Sequence, residues 1–192
     1  MTETGDRKVA LNLPNTLSLL RLVAIPVVLV CLLFPGRWWS FFAALLLSIA
    51  FITDMLDGYF ARKYSAVTAL GKFLDPLADK ILVSMTLIML IPLGRVPAWM
   101  VVVIVAREIA VTGLRSVAVN EGIVIQASVL GKLKTVFQAV ATIALCLHYE
   151  YFGLDLHKWG MVLLWLALAL TLVSGWAYFR AFYRVFFPKQ GA

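Results

Sequence analysis

An all-α membrane protein of six transmembrane helices, with a short N-terminal interfacial segment and both termini cytoplasmic, is the architecture this sequence predicts. Hydrophobic residues make up 62% of the 192-residue chain and charged residues only 14%, which excludes a disordered chain and argues against a soluble domain. Apolar runs close to the bilayer-spanning length of about 20 residues recur along its whole length. The basic residues are distributed unevenly. With six spans, all but Arg37, Arg95 and Lys158 of the 17 lysines and arginines fall on the side of the termini. The positive-inside rule makes that side cytoplasmic. An odd number of spans would split the bias, so count and charge support each other. Residues 1–192 read as one membrane domain, with no internal repeat and no low-complexity segment.

The N-terminal segment, residues 1–16, is polar and then mixed, and Asn15 or Thr16 could cap the helix that follows. Glu3 and Asp6 precede the first apolar run and no small-residue cleavage site follows, so that run does not read as a signal peptide. The first span covers residues 17–34, with Arg21 able to snorkel outward and Pro26 placed to kink it. Pro35-Gly36-Arg37 makes a turn, and Trp38 and Trp39 stand where an aromatic belt would lie. The second span ends at Asp54 and Asp57, and residues 63–70 connect it to a third that opens at Gly71 and ends near residue 91. A fourth runs from Pro97, a favourable first-turn residue, to about residue 114. It carries Arg107 and Glu108 deep in its second half. A polar loop follows over 115–130, then a fifth span from 131 to 148. The loop 149–158 offers Tyr149 and Tyr151 as interface anchors, and the sixth span runs from Trp159 to about residue 183. Cys31 and Cys146 lie inside apolar runs and read as small buried hydrophobes rather than a disulfide or metal site.

Four of the ten acidic residues fall in one short stretch. Asp54 and Asp57 are spaced i, i+3, and Asp75 and Asp79 i, i+4; on helices each spacing puts two carboxylates on one face. Both pairs border apolar runs, where unpaired charge is expensive and marks function. Hard oxygen donors with no His or Cys nearby suit Mg²⁺, Mn²⁺ or Ca²⁺ rather than zinc. The bland alternative is a set of ion-paired helix ends, with Arg62, Lys63, Lys72 and Lys80 as partners. It accounts for Asp75 and Asp79 at a helix start. It accounts poorly for Asp54 and Asp57 near a C-terminal end, where the helix dipole disfavours them.

The complete pattern is Asp54-x₂-Asp57-Gly58-x₂-Ala61-Arg62-x₈-Gly71-x₃-Asp75-x₃-Asp79, eight specified residues at fixed spacing. It resembles the signature of the CDP-alcohol phosphotransferases, membrane enzymes that make phospholipid headgroups, and that family's six-helix architecture matches the whole chain. The resemblance implies that an acceptor alcohol attacks the lipid phosphate of a CDP-linked donor and CMP leaves. It implies that Asp54, Asp57, Asp75 and Asp79 hold two divalent ions, Mg²⁺ or Mn²⁺. It makes Asp79 also the base that takes the alcohol proton. It implies that Gly58, Ala61, Arg62, Thr68 and Gly71 line the CDP site, with Arg62 on phosphate. Glycine at 58 allows close approach to the helix backbone; taken alone, Gly58 and Gly71 would read as helix-packing residues.

Arg107, Arg115, Lys132 and Lys134 form a second basic set. Positive-inside charge at helix ends would explain Arg115 as well as a binding role does, but not the depth of Arg107. The expectation is that this set binds a phosphate on the acceptor, because the donor phosphates already have the metals and Arg62. Lys132 and Lys134 lie two apart, so a helix would not point both one way, yet both could reach one pocket. Asn12 to Ser18 with Arg21, Ala106 to Ile109 with Gly113 to Arg115, and Gly131 to Thr135 with Gln138 resemble one bacterial branch of the family, the phosphatidylglycerophosphate synthases. That resemblance implies CDP-diacylglycerol as donor, sn-glycerol 3-phosphate as acceptor, a homodimer, and the bacterial inner membrane with the site facing the cytoplasm. The +7 net charge suits anionic lipid or phosphate; no soluble basic domain exists for nucleic acid. Inositol phosphate, serine or phosphatidylglycerol are the alternative acceptors. A prenyl-transferring enzyme would also use aspartate-rich helices, but it leaves the Gly58-x₂-Ala61-Arg62 continuation unexplained. A cation transporter would place its carboxylates near the midplane on broken helices in matching halves, which this sequence lacks.

Overall fold

A computed structural model describes the backbone of residues 13–64, 69–121, 129–151 and 153–186, and over these the side chains except at 13–19, 54–64, 69–77, 79, 120, 129, 184 and 185. Among the described residues there are six helices: α1 (Leu13–Leu33), α2 (Arg37–Tyr64), α3 (Ala69–Leu90), α4 (Ala98–Asn120), α5 (Val129–Leu147) and α6 (Leu156–Phe186). A two-stranded antiparallel hairpin, β1 (Glu150–Tyr151) and β2 (Leu154–Asp155), joins α5 to α6. Two of the described helical stretches are long and apolar enough to cross a membrane, Leu130–Leu147 and Leu156–Tyr183. Shorter apolar helices cover Leu20–Leu33, Arg37–Thr53 and Lys80–Leu90. Trp38, Val102, Ile109, Val173 and Trp176 are each more than half exposed, an outer surface matched to hydrocarbon. The protein is thus predominantly helical and compatible with an all-α membrane fold.

The helices pack around α5, which contacts α2, α3 and α6; α1 lies against α2 and α3, and α4 against α3 and α6. Leu47, Leu82, Leu87, Met100, Ile104, Leu145 and Leu164 are fully buried between them. Polar residues inside these apolar helices are satisfied locally. Ser48, Thr53, Thr86 and Thr142 each donate to the carbonyl four residues back, at 2.7–2.8 Å. Cys31 and Cys146 are buried and free, as the sequence reading holds.

The tightest helix contact depends on a glycine. A Cβ at Gly160 would stand 2.8 Å from Leu145 Cγ and 3.1 Å from the Leu145 backbone nitrogen. The backbone cannot yield as a flexible side chain can. Gly160→Ala is expected to separate α5 from α6 and destabilise the fold by about 1–3 kcal/mol, typical of overpacking. A lowered thermal midpoint in detergent checks this; an unchanged midpoint would show that the two helices can part freely.

Several boundaries differ from the sequence expectation. α1 begins at Leu13, so Asn15 and Thr16 lie within the helix and do not cap it. Pro14 sits in its first turn, where a missing N–H is harmless. The helix continues through Pro26, and Arg21, expected to reach outward, is buried. α4 does not stop near 114 but continues to Asn120. Buried Ile104, Val111 and Ala118 keep a seven-residue register past that point, so Arg115 lies on a helix rather than in a loop. α6 begins at Leu156 because Asp155 caps it: the Lys158 amide donates to Asp155 Oδ1 at 3.0 Å.

The three basic residues expected to lie opposite the rest, Arg37, Arg95 and Lys158, do gather at one end of the bundle. Buried Arg95 donates to the Cys146 carbonyl at 2.6 Å and to Ser40 Oγ at 2.9 Å, tying the α3–α4 turn to α2 and α5. Burial lowers its pKa, with partial compensation from Cys146 and the tyrosines. Arg37 donates to the Glu150 carbonyl at 2.7 Å and lies 4.3 Å from the Tyr151 ring centre. Lys158 pairs with Asp155 at 2.9 Å. The expected loop is therefore an ordered hairpin, turned by Gly153 at φ +77°.

Candidate active site

A cavity of about 250 Å³ opens between α3, α4, α5 and α6, at the opposite end from the hairpin. Arg107 and Arg115 reach it from α4, Lys132 and Lys134 from α5, and Lys80 from α3. All four residues of the second basic set thus line one space. Lys132 is exposed and Lys134 buried, so the two point differently yet share the cavity. Among the described lining residues five cations face one carboxylate, Glu108.

Glu108 makes this density of charge tolerable. Its Oε1 accepts from Arg107 Nη1 at 3.1 Å and from Lys134 Nζ. Side-chain exposures of 13% for Arg107 and 15% for Glu108 confirm the depth read from the sequence. Arg107 Nη2 donates to Ser174 Oγ on α6 at 2.8 Å. Ser174 in turn donates back to the Leu170 carbonyl at 2.6 Å. Gly175 gives the guanidinium its place: a Cβ there would stand 3.0 Å from Arg107 Nε and 3.2 Å from its Cγ. Lys80 Nζ donates to Thr112 Oγ1 at 2.5 Å, and Thr112 donates to the Glu108 carbonyl at 2.6 Å. Thr171, Ser174, Gly175 and Tyr178 follow one another at i, i+3, i+4 and i+7, so a polar stripe of α6 faces α4. Arg107 Nε, Thr171 Oγ1 and the Tyr178 hydroxyl are buried with no hydrogen-bond partner among the described residues. Such groups are rare and point to a partner brought by a ligand or water. The Arg115 guanidinium lies 5.8 Å from the Tyr178 ring centre. Guanidinium and ammonium groups gathered inside low-dielectric walls suit a phosphate or another dianion.

An apolar groove of about 500 Å³ lies alongside, between α3 and α4. Ile81, Met85, Ile88, Val105 and Ile109 line it, and it shares Lys80, Glu108 and Thr112 with the cationic cavity. A charged chamber and a hydrocarbon groove therefore share one rim.

The backbone is helical through all four aspartates: Asp54 and Asp57 on α2, Asp75 and Asp79 on α3. Their side chains lie outside the described residues, as do those of Ala61 and Arg62; Gly58 and Gly71 have a described backbone only. Thr68 lies outside the described residues altogether. Lys80 follows Asp79 directly, so the cationic cavity abuts the aspartate-bearing part of α3. Sequence reasoning did not find Ser174 and Tyr178 at the cavity, nor Glu108 as its ionic hub. The legible signal was the polar spacing Thr171, Ser174, Tyr178 within an otherwise apolar helix.

A family profile described as CDP-alcohol phosphatidyltransferase matches residues 11–173. The chain is 46% identical over 180 residues to a Bacillus subtilis protein named CDP-diacylglycerol–glycerol-3-phosphate 3-phosphatidyltransferase, covering 88% of this chain and 93% of the relative. A Rickettsia bellii protein of the same name is 40% identical over 177 residues, covering 91% and 97%. One from Cereibacter sphaeroides is 31% identical over 208 residues, covering 88% and 94%.

Proposed function

Because the chain belongs to the CDP-alcohol phosphatidyltransferase family, we propose that it transfers the phosphatidyl group of CDP-diacylglycerol to sn-glycerol 3-phosphate, giving phosphatidylglycerol phosphate and CMP. The observation that carries the choice of acceptor is the convergence of Arg107, Arg115, Lys132 and Lys134 on one cavity that abuts Asp79. An acceptor with its own phosphate, glycerol 3-phosphate or inositol phosphate, needs such a cavity and serine does not; between the two, the names of the relatives favour glycerol 3-phosphate.

In this reading the acceptor phosphate sits among those four cations, with the Tyr178 hydroxyl and Arg107 Nε as further donors. One of its two hydroxyls is thereby held toward α3. The hydroxyl oxygen forms a bond to the lipid-side phosphorus, the bond from that phosphorus to the CMP oxygen breaks, and the hydroxyl proton passes to Asp79. Arg62 holds donor phosphate, while Gly58, Ala61, Thr68 and Gly71 shape the nucleotide site. An acyl chain of the donor lies in the groove between α3 and α4. The donor set fits hard divalent cations: four carboxylates, on helical backbone at spacings that pair them on one face. Asp54, Asp57, Asp75 and Asp79 would hold two Mg²⁺ or Mn²⁺ ions. Bound there, the ions neutralise pyrophosphate charge and stabilise the leaving oxygen.

The helices cross the membrane six times, both termini and the site face the cytoplasm of a bacterial inner membrane, and the protein is a homodimer. The bundle supports this orientation by collecting Arg37, Arg95 and Lys158 at the end opposite the site.

The test is CMP release from CDP-diacylglycerol and Mg²⁺ by detergent-purified protein, offering glycerol 3-phosphate, inositol phosphate, serine or phosphatidylglycerol singly. Release with glycerol 3-phosphate alone is expected. Release with another acceptor alone would keep the reaction class and overturn the substrate.

A further inference from the structure

The two histidines of the chain meet at the hairpin end, away from the cationic cavity. His148 follows α5 and His157 lies in the first turn of α6, and their Nδ1 atoms are 3.2 Å apart. Both side chains are half-buried and within reach of solvent. Two imidazole nitrogens bound to one tetrahedral Zn²⁺ at its usual bond length stand about 3.3 Å apart. The ring centres are 4.8 Å apart and the planes meet at 78°. An in-line N–H···N bond of the same length would hold the centres farther apart. The ring axes are therefore bent away from the line joining the nitrogens, a geometry open to two ligands of one ion.

A second observation is independent of the ring geometry. His148 has φ +56°, the one non-glycine residue with positive φ among the described residues. It occupies the position after a helix where glycine is favoured because a Cβ is strained. Strain accepted for a particular side chain is typical of functional positions. The Tyr149 ring packs edge-on against His148 at 5.5 Å and helps fix it. Asp155, a carboxylate close in sequence to His157, is already engaged by the Lys158 amide and ammonium.

We propose that His148 and His157 form a two-histidine site for a borderline transition-metal dication, Zn²⁺, Ni²⁺ or Cu²⁺, separate from the active site. Imidazole suits all three of these ions, and hard Mg²⁺ does not compete for it. Solvent completes the coordination. The bound ion ties the end of α5 to the start of α6 across the hairpin and closes that end of the bundle.

The experiment uses the untagged full-length protein in detergent with saturating Mg²⁺. Thermal midpoints are followed while ZnCl₂ is added, and Cu²⁺ spectra by electron paramagnetic resonance report the number of nitrogen ligands. Wild type is expected to gain several degrees with Zn²⁺ and to show two imidazole nitrogens on Cu²⁺. His157→Ala and His148→Gly are each expected to weaken Zn²⁺ binding at least tenfold. His148→Gly relieves the strained φ, so it keeps the fold, and Mg²⁺-dependent CMP release in both variants checks that they are folded. A Zn²⁺ shift that persists in both variants places the ion elsewhere and overturns the proposal. So does the absence of any shift in wild type, which would leave the histidines as a hydrogen-bonded pair.

Discussion

Asp79→Asn is expected to lower CMP release by about three orders of magnitude or more with CDP-diacylglycerol, glycerol 3-phosphate and Mg²⁺ all saturating. Two losses combine. The amide cannot accept the acceptor's proton, and general-base assistance alone is worth about 10²–10⁴-fold. It also removes one of four carboxylates proposed to share the divalent ions. Asp79 lies on the same helix as buried Ala78, Leu82 and Val83, whose packing the isosteric change leaves alone, so the loss is expected at an unchanged thermal midpoint. Single-turnover CMP release measured beside a melting curve separates chemistry from folding. Activity within tenfold of wild type would remove Asp79 from the reaction and, with it, the proposed role of the aspartate signature.

The second large effect is expected at Lys134. Methionine keeps the length and apolar volume of the side chain and removes only the charge. Glu108 would retain Arg107, so the carboxylate is not orphaned. A charge-assisted hydrogen bond to phosphate contributes about 1.5–3 kcal/mol, which corresponds to a rise of roughly 10–100-fold in the acceptor Michaelis constant. The constant for CDP-diacylglycerol should hardly change. The same substitution at Lys132, which is exposed, should have the smaller effect, because solvent screens it. Equal effects at the two lysines, or a loss confined to kcat, would contradict an anion-holding role for the buried one.

Much of this arrangement was legible in the sequence, and the residues that were not share a physical reason. Six helices follow from apolar runs broken at Pro35-Gly36, at the polar connection 63–70, at Pro92 to Gly94, at the polar stretch before Gly131 and around residues 149–158, because hydrocarbon burial dominates each segment. Arg107, Arg115, Lys132 and Lys134, four of the five described cations of the cavity, could be named as one set because charge in an apolar run is conspicuous wherever it lies. Their organisation could not. Glu108 meets Lys134 across 26 positions, Arg107 meets Ser174 across 67 and Arg95 meets Cys146 across 51, and no local pattern encodes such pairs. Local polarity also misled where it competed with packing. Arg115 and Ser116 read as loop, yet Val111 and Ala118 hold α4 in register through them. Ser174 and Tyr178 lie in an otherwise apolar helix, and only the approach of α4 brings them to the cavity.

The cationic chamber has two storeys. Arg115 and Lys132 stand at its mouth in contact with solvent, while Arg107 and Lys134 lie beneath with Glu108 as their counter-ion. Dissolved ions screen the upper pair and hardly reach the lower. Under the proposed function, capture and retention of the acceptor fall to different residues: the mouth would draw the anion in from a distance, and the floor would decide how long it stays. Because Glu108 already occupies the floor, a phosphate bound there as proposed would enter an exchange rather than a vacancy, sharing cations that Glu108 orients before it comes.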